Sequence, residues 1–512
     1  MSNTFNLKKI PGLENIRGID KRFDPASVKK TPLGLAGREQ HKNKIVANFE
    51  EAVRLSGLKN GQTISFHHHF RDGDYVVNMV IDKLAELGFR DLTLASSSLS
   101  DCHAPLIKHV KSGVIRRIET SGLRGKLADE ISRGIMEVPV IFRSHGGRAH
   151  AIASGALPID VAFLGAPSCD AFGNANGYSR NSDDAVMCGS MGYAKCDAQY
   201  AKTTIILTNH IVPFPNAPFA IPETDVDYIV KVDAIGDPSG IMKGATRFTT
   251  NPKELVISEL AANAIEAAGC LVDGFSFQTG TGGASLAVTR FLRDKMKAKG
   301  ISAAFALGGI TGSIAALHEE GLVKKLLDVQ SFDLQAAASL KNNRFHTQIS
   351  AEYYASPHGE GAAVNQLDVV VLSALEVDIN FNVNVLTGND GVIRGAVGGH
   401  PDTAYGASLT IVDCPITRGR IPCVVDRVGA ICTPGSTVDV VVTEQGVAVN
   451  PLRGDLKEKF AAAKIPLMSI EVMRDMALDL VGKPDPVEYT DKVVGVITYR
   501  DGSVIDLIYQ VK

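Results

Sequence analysis

Several short stretches of this sequence gather groups that bind anions or stabilise developing negative charge. SFHHHFRDGD places His67, His68 and His69 just ahead of Arg71; LASSSLSDC holds Ser96, Ser97 and Ser98; TSGLRG contains Arg124 and SHGGRAH contains His145. Guanidinium forks, imidazoles and hydroxyls on loops of this kind suit a carboxylate-bearing or phosphate-bearing ligand. Two glycine loops offer backbone N–H groups instead. TGTGG supplies Thr279, Gly280, Thr281, Gly282 and Gly283 and runs directly into a helix, where an anionic phosphate is well placed. GAVGGH supplies Gly398, Gly399 and His400, and amides in such a loop can donate to an oxyanion. Taken alone, either loop could equally be a tight structural turn. The three adjacent histidines cannot all face one way on an extended segment, so at least one of them is structural. No acidic partner at ligand spacing accompanies them, and no metal site is expected.

The elements that must position these residues occur twice. Residues 160–176 (DVAFLGAPSCDAFGNAN) and 368–384 (DVVVLSALEVDINFNVN) align without a gap and are identical at seven of the 17 positions: Asp160/Asp368, Val161/Val369, Leu164/Leu372, Ala166/Ala374, Asp170/Asp378, Asn174/Asn382 and Asn176/Asn384. Typical residue usage gives about one. The correspondence continues upstream, with GQTISFHHHF (61–70) opposite DGFSFQTGTGG (273–283) and KSGVIRRIETSG (111–122) opposite EEGLVKKLLDVQS (319–331). Each copy reads as an apolar strand, a polar or glycine-rich loop and an amphipathic helix. Val77, Val80, Ile81 and Leu84 give the apolar face of the first helix, and Val288, Phe291, Leu292 and Met296 that of the second; Gly88 and Gly300 end them. Another strand follows in both copies. Such βαβ series predict two homologous open α/β lobes with largely parallel sheets and a ligand cleft between their facing strand-end loops. The boundaries read as an N-terminal extension (1–44), a first lobe (45–225), a connector (226–250) and a second lobe (251–512). The polar residues Asp170, Asn174 and Asn176 suit loop architecture better than ligand contact. The closing segment VVGVITYRDGSVIDLIYQV is a hairpin around an Asp-Gly turn, expected to close an edge of the second lobe.

At 512 residues the chain exceeds the size of a single core. Lys plus Arg (53) nearly balances Asp plus Glu (56) and no basic stripe is present, which argues against nucleic acid or an anionic membrane as a partner. The sequence also lacks a signal-peptide pattern and any long uninterrupted apolar run, so a cytoplasmic location is expected. Its eight cysteines form no CxxC pair and are expected to be reduced and mostly buried.

The ordered series SFHHHFRDGD, LASSSLSDCHAPL, TSGLRG, SHGGRAH, VAFLGAPSCDAFGNANG, FQTGTGGASLAVTRFL, SALEVD, GAVGGHPDTA and VVTEQGVAVNP resembles the alpha chain of bacterial citrate lyase, and more distantly the acyl-CoA transferases with two α/β lobes. The resemblance covers nearly the whole chain. It implies a CoA-transferase-like fold and a transferase that exchanges the acetyl group on an acyl carrier protein thioester for citrate, giving citryl carrier protein and acetate. It further implies an oligomeric complex with a beta chain that cleaves the citryl thioester and a gamma chain, the carrier, whose arm is a phosphoribosyl-dephospho-CoA; CoA thioesters would be surrogates. On this reading Gly398, Gly399 and His400 form the loop over the thioester. Thr279 to Gly283 meet the arm, and His67, His68, His69, Arg71, Ser96, Ser97, Ser98, Arg124 and His145 surround citrate.

The sequence departs from the covalent CoA transferases at one place. Where those enzymes carry a nucleophilic glutamate, LLDVQSFDLQ has Phe332. Asp333 is adjacent and Glu376 stands in the second copy of the repeat, opposite Ser168, but neither matches the motif. Direct attack by citrate in a ternary complex is therefore expected, and Glu376, a carboxylate that only the second copy of the repeat places on the cleft wall, is the catalytic candidate to test. The alternatives are a general acyl-CoA:carboxylate CoA-transferase with a covalent intermediate, and a non-catalytic ligand-binding or carrier-docking subunit.

Overall fold

In the computed structural model, which describes residues 42–182, 186–242, 249–280 and 282–512, the apolar runs become the centres of two parallel sheets. Thr281 and nearly all of the N-terminal extension lie outside the described residues. In the first sheet the strands Tyr228–Lys231, Thr203–Thr208, Val161–Gly165, Thr63–Phe66, Leu92–Ser96, Ile115–Thr120 and Val140–Phe142 lie side by side in that order. The second runs Val440–Thr443, Leu409–Asp413, Val369–Ser373, Ser276–Thr279, Phe305–Ile310, Leu326–Ser331 and His346–Gln348. All these neighbours pair in parallel, and the two orders correspond strand for strand. The repeat in the sequence is thus a repeat of topology.

Local chemistry accounts for the elements. Helix Val76–Glu86 buries Val77, Val80, Ile81 and Leu84, the stripe that a period of 3.6 places on one face. Helix Gly283–Lys299 buries Val288, Leu292 and Met296, and Gly300 ends it at φ 63°, a left-handed cap that glycine adopts without strain. In the repeated block each sheet strand continues into a small three-stranded sheet. Ser168–Asp170 pairs with Ala175–Asn176 and Ile211–Val212, and Glu376–Asp378 pairs with Val383–Asn384 and Val424–Val425. Asp170 Oδ1 accepts from the amides of Phe172, Gly173 and Asn174, and Asp378 Oδ1 from those of Asn380 and Asn382. Asn174 and Asn382 donate to the second oxygen at 2.9 and 3.2 Å. These repeated polar residues build a turn.

Two boundaries differ from those read in the sequence. Tyr228–Lys231, inside the expected connector, is the edge strand of the first sheet, and Ile235 and Ile241 pack into the first core. The proline-rich stretch before it is a loop within the lobe, since proline marks a turn but not a domain boundary. The C-terminal hairpin, expected on the second lobe, returns to the first: Tyr489–Thr498 pairs in parallel with Val140–Phe142, and Val504–Val511 closes the edge. Val494, Ile497 and Ile508 join the first core. An alternating pattern specifies a strand pair but not which open edge it covers.

The lobes are locked together by residues 393–402. Gly122 and Ala396 form an antiparallel bridge, flanked by Leu123 N–H donating to Gly395 O at 2.9 Å and Val397 N–H donating to Ser121 O at 2.8 Å. Any Cβ on Gly122 would come within 2.2 Å of Ala396 Cβ, so this approach needs glycine. Asp402, fully buried, anchors the end of the segment. Its Oδ1 accepts from Ser144 Oγ at 2.9 Å and Arg500 Nε at 3.1 Å, and its Oδ2 from Gly146 N–H at 2.9 Å. Arg500 belongs to the C-terminal hairpin, stacks over the Tyr405 ring at 4.4 Å and also donates to Ala355 O.

A second buried carboxylate supports the histidine loop. Asp74 caps the helix through the amides of Val76 and Val77 and meets His103 Nε2 at 3.1 Å. Burial disfavours a charged His103, but the Asp74 carboxylate outweighs it and raises the pKa to about 9.

These two hubs lead to two expectations. Arg500→Ala strands Asp402 in the interior and should lower the unfolding free energy by about 3–5 kcal/mol in urea titrations, with Arg500→Lys recovering only part. His103 has a folded pKa above its unfolded value of about 6.5, so its contribution is complete below that pH and is lost as pH rises through about 9. Urea midpoints of the protein should therefore fall across that window, and His103→Gln should flatten the fall.

Candidate active site

A cavity of about 820 Å³ lies between the facing carboxyl ends of the two sheets, where ligands of open parallel sheets bind. From the first lobe it is lined by His68, Arg71, Ser98, Arg124 and His145. From the second it is lined by Thr279, Gly280, Gly282, Gly398, Gly399 and His400. Each group follows the end of a strand, as the spacing predicts. The histidine run alternates: His68 faces the cavity, whereas His67 and His69 turn behind it, their rings 5.0 Å apart, and bond to Gly165 O and Ile235 O. Ser96 and Ser97 are buried beneath the wall. Ser97 Oγ accepts from the His68 amide at 3.1 Å and meets His68 Nδ1 at 2.5 Å, while Ser96 Oγ donates to Ser98 O. These four residues hold the loop and do not line the cavity. Gly283 begins the helix behind it.

Among the described residues the charged groups lining the cavity are Arg71, Arg124, Arg394 and Arg418 with Asp72 and Asp101. Burial and the neighbouring Arg124 lower the Arg71 pKa to about 10, and burial lowers that of Arg124, whose exposed surface opens into the cavity. Both remain cationic near neutral pH. Neither is held in an ion pair among the described residues; Arg71 donates weakly to Ile241 O at 3.4 Å. Arg71 has φ 54°, unusual for a side-chain-bearing residue, and its backbone is fixed by bonds to His68 O and from Asp74 N–H. The histidines contribute no charge. Burial, with Arg148 beside it, brings His145 down to about 3; burial brings His400 down to about 4 and holds His68 well below its usual value. His400 Nδ1 meets Thr433 Oγ1 at 2.7 Å, while its buried Nε2 and the buried Thr279 Oγ1 have no hydrogen-bond partner among the described residues.

The second lobe adds residues that sequence reasoning passed over. Gln330 Oε1 meets His68 Nε2 at 2.6 Å across the cleft, and Gln278 Nε2 donates to Tyr354 Oη at 3.0 Å. Ser373, Arg394 and Arg418 also line the wall, and the first lobe adds Tyr193. The repeat could have pointed to Gln278 and Ser373, which lie at the ends of the second-lobe strands corresponding to Thr63–Phe66 and Val161–Gly165; Arg418 carries no such signal. Phe332 sits in the cavity with the Arg71 guanidinium 4.9 Å from its ring centre.

The two carboxylates considered as nucleophiles are placed elsewhere. Asp333 caps helix Leu334–Asn342, its oxygens accepting from Ala336 N–H and Gly312 N–H, both at 2.7 Å. Glu376 lies outside the cavity lining, buried in the small sheet, with Oε2 accepting from Asn384 Nδ2 at 2.9 Å and Gly429 N–H at 3.0 Å. The expectation that the second copy of the repeat presents Glu376 to the cleft is therefore corrected: the polypeptide turns into a strand there and points the carboxylate into the turn that follows.

Comparison with known proteins agrees with this architecture. Residues 42–511 match the family model described as citrate lyase, alpha subunit. The citrate lyase alpha chain of Klebsiella pneumoniae is 59% identical over 483 residues, 94% of each chain. A crystal structure from Streptococcus mutans described as the alpha subunit of citrate lyase in complex with citrate superposes with a TM-score of 0.89 at 57% identity, covering 92% of each chain. A 4-hydroxybutyrate coenzyme A transferase of Clostridium kluyveri is 26% identical, over 80% of this chain and 91% of its own. With the two-lobed fold, the cleft between strand ends and a family match along nearly all of its described length, the chain belongs to the citrate lyase alpha subunit family.

Proposed function

We propose that the protein is the transferase of a citrate lyase complex: it exchanges acetyl for citryl on the thioester of an acyl carrier protein and releases acetate. The observation that carries the reading is a cleft into which Arg71 and Arg124 open, neither in an ion pair among the described residues, in a member of a family whose Streptococcus mutans relative is described in complex with citrate. Guanidinium groups on one wall fit a tricarboxylate, which they can hold by charge-assisted, bidentate bonds. The glycine loop around Gly398 and Gly399 lies on the opposite wall.

The chemistry needs no acyl-enzyme. A citrate carboxylate oxygen attacks the acetyl carbonyl, the carbon–sulfur bond breaks, and a mixed anhydride and a thiolate result. The thiolate then attacks the citryl carbonyl and acetate leaves. Atoms and charge balance without an external acid or base, and holding the acceptor beside the thioester supplies the rate. Phe332 in the nucleophile's place supports this order, as do the structural duties of Asp333 and Glu376. The glycine loop at 279–283 fits an anionic phosphoribosyl-dephospho-CoA arm. Among the described residues helix Gly283–Lys299 has no side-chain cap and Thr279 Oγ1 has no partner. The beta and gamma chains of the complex would be its cytoplasmic partners.

An assay with acetyl-CoA as surrogate donor and a panel of carboxylic acids tests the reading: acetate should be released with citrate and only when both substrates are present. Release from acetyl-CoA alone, or a reducible acyl adduct on Asp333 or Glu376 detected by mass spectrometry, would overturn the ternary route. Arg71→Ala should raise KM for citrate about 10–100-fold, the worth of one charge-assisted contact. Glu376→Gln should leave kcat within a few-fold and act on stability instead.

A further inference from the structure

The two lobes share a scaffold, yet at one position the second carries a polar chain that the first lacks. Ser373 ends the strand Val369–Ser373 and lines the cavity. Its Oγ lies 2.7 Å from Ser285 Oγ, which lies 2.6 Å from Asp413 Oδ2. Ser285 is fully buried and Asp413 nearly so. Ser373 and Asp413 are register partners on adjacent parallel strands. The register partners at the same place in the first lobe are Gly165 and Leu207, which hold no such chain. Gly282 is kept free of a side chain here, since a Cβ on it would come within 2.0 Å of Ser373 Oγ.

We propose that Ser373 presents its hydroxyl to the oxyanion formed during acyl transfer, and that Ser285 and Asp413 behind it set the direction in which that hydroxyl donates. The inference rests on the transferase reading above. Ser373 is the catalytic residue in this chain; Ser285 and Asp413 are positioning residues.

Counting protons gives the mechanism. Each serine has one O–H. When the Asp413 carboxyl is protonated, it donates to Ser285, Ser285 donates to Ser373, and the Ser373 proton is left pointing into the cavity. When Asp413 is ionised, Ser285 donates to it and Ser373 donates to Ser285, so a lone pair faces the cavity and repels an oxyanion. A preorganised donor of this kind acts on the transition state more than on the bound substrate. Burial, with the charge of Glu254 behind it, pushes Asp413 up to about 7, while Ser285, Ser373 and Arg418 pull the other way. Of the other groups packed nearby, Cys414 is buried with its thiol neutral, and Glu444 accepts from Ile416 N–H and lies 3.8 Å from Lys253. The donor form is thus the low-pH form, and it is lost as pH rises through the Asp413 value.

The test follows acetate release from acetyl-CoA and citrate across pH in the full chain. Ser373→Ala should lower kcat on the order of a hundredfold at low pH with little change in KM. In the wild type kcat should fall on the alkaline side. In Asp413→Asn, whose amide can donate at every pH, the ratio of kcat at low pH to kcat at high pH should collapse toward one. Should that variant fail to fold, Ser285→Ala serves, because it removes the hydroxyl that relays between Asp413 and Ser373, leaves only their direct contact, and should shallow the profile. An alkaline fall that persists unchanged in Asp413→Asn or Ser285→Ala, or a Ser373→Ala enzyme with wild-type kcat, overturns the inference and leaves the transferase reading intact. A wild-type chain that releases no acetate from the two substrates together sinks the reading itself, and this inference with it.

Discussion

The buried carboxylate of Asp402 is the constraint on which the cleft depends. It stands on the second lobe, yet its partners Ser144 and Gly146 belong to the first and Arg500 to the C-terminal hairpin. Burial favours the neutral acid there, and the donors around it favour the carboxylate. An interior charge is stable only when every lone pair is used, so the three segments that supply those donors must meet in one arrangement. That arrangement presses Gly398 O against His145 N–H at 2.9 Å and sets the glycine loop of one lobe beside the histidine of the other. The cleft is therefore a fixed joint, and the hairpin that crosses back to the first sheet is part of the lock.

Duplication supplied the two walls, and divergence gave them different work. The turn built on Asp170 and Asn174 recurs on Asp378 and Asn382 with the same bonds, which shows that these identities record architecture. The differences lie at strand ends. The first lobe offers Arg71 and Arg124, and keeps Gly165 small because a Cβ there would come within 2.6 Å of the His69 ring. The second offers glycine loops, glutamines and the serine chain that ends at Ser373. Arginines face the cleft from both walls, Arg394 and Arg418 standing on the second, and the glycine loops and the serine chain belong to the second alone.

What could be read in the sequence follows from how local each feature is. Strands, helices and their glycine stops are set by periodicity within a dozen residues, and the repeat doubled that signal; strand order then agreed between copies. That the three histidines do not all face the cleft follows from the alternation of an extended segment, and His68 is the one that does. The sheet edge chosen by the C-terminal hairpin was not legible, because the open strand at Val140–Phe142 lies some 350 residues away in the chain. Glu376 was misplaced for a related reason. A carboxylate after an apolar run looks like a strand-end ligand, and nothing in the run shows that the backbone continues into a second small sheet whose turn consumes it. Arg418 and Gln330 reach the cleft only through packing between elements.

The pairing of arginines with neutral donors in one cleft suits the proposed reaction. A tricarboxylate acceptor brings its own negative charge, and Arg71 and Arg124 can balance it before reaction begins. The attacking group must nevertheless keep its electrons available, so the groups nearest the reacting carbonyl should polarise it without adding a full cation that would quench the nucleophile. Neutral donors do this: backbone amides, a serine hydroxyl, and the imidazoles of His145 and His400, both held well below neutral pH by burial. A glutamate at position 332 would add a competing carboxylate beside the acceptor. Phenylalanine there removes that competitor and, with its ring face under Arg71, keeps the guanidinium aimed into the cleft. On the proposed route, Phe332 at this position and arginines facing the cleft are two consequences of one premise, that the acceptor is itself the carboxylate.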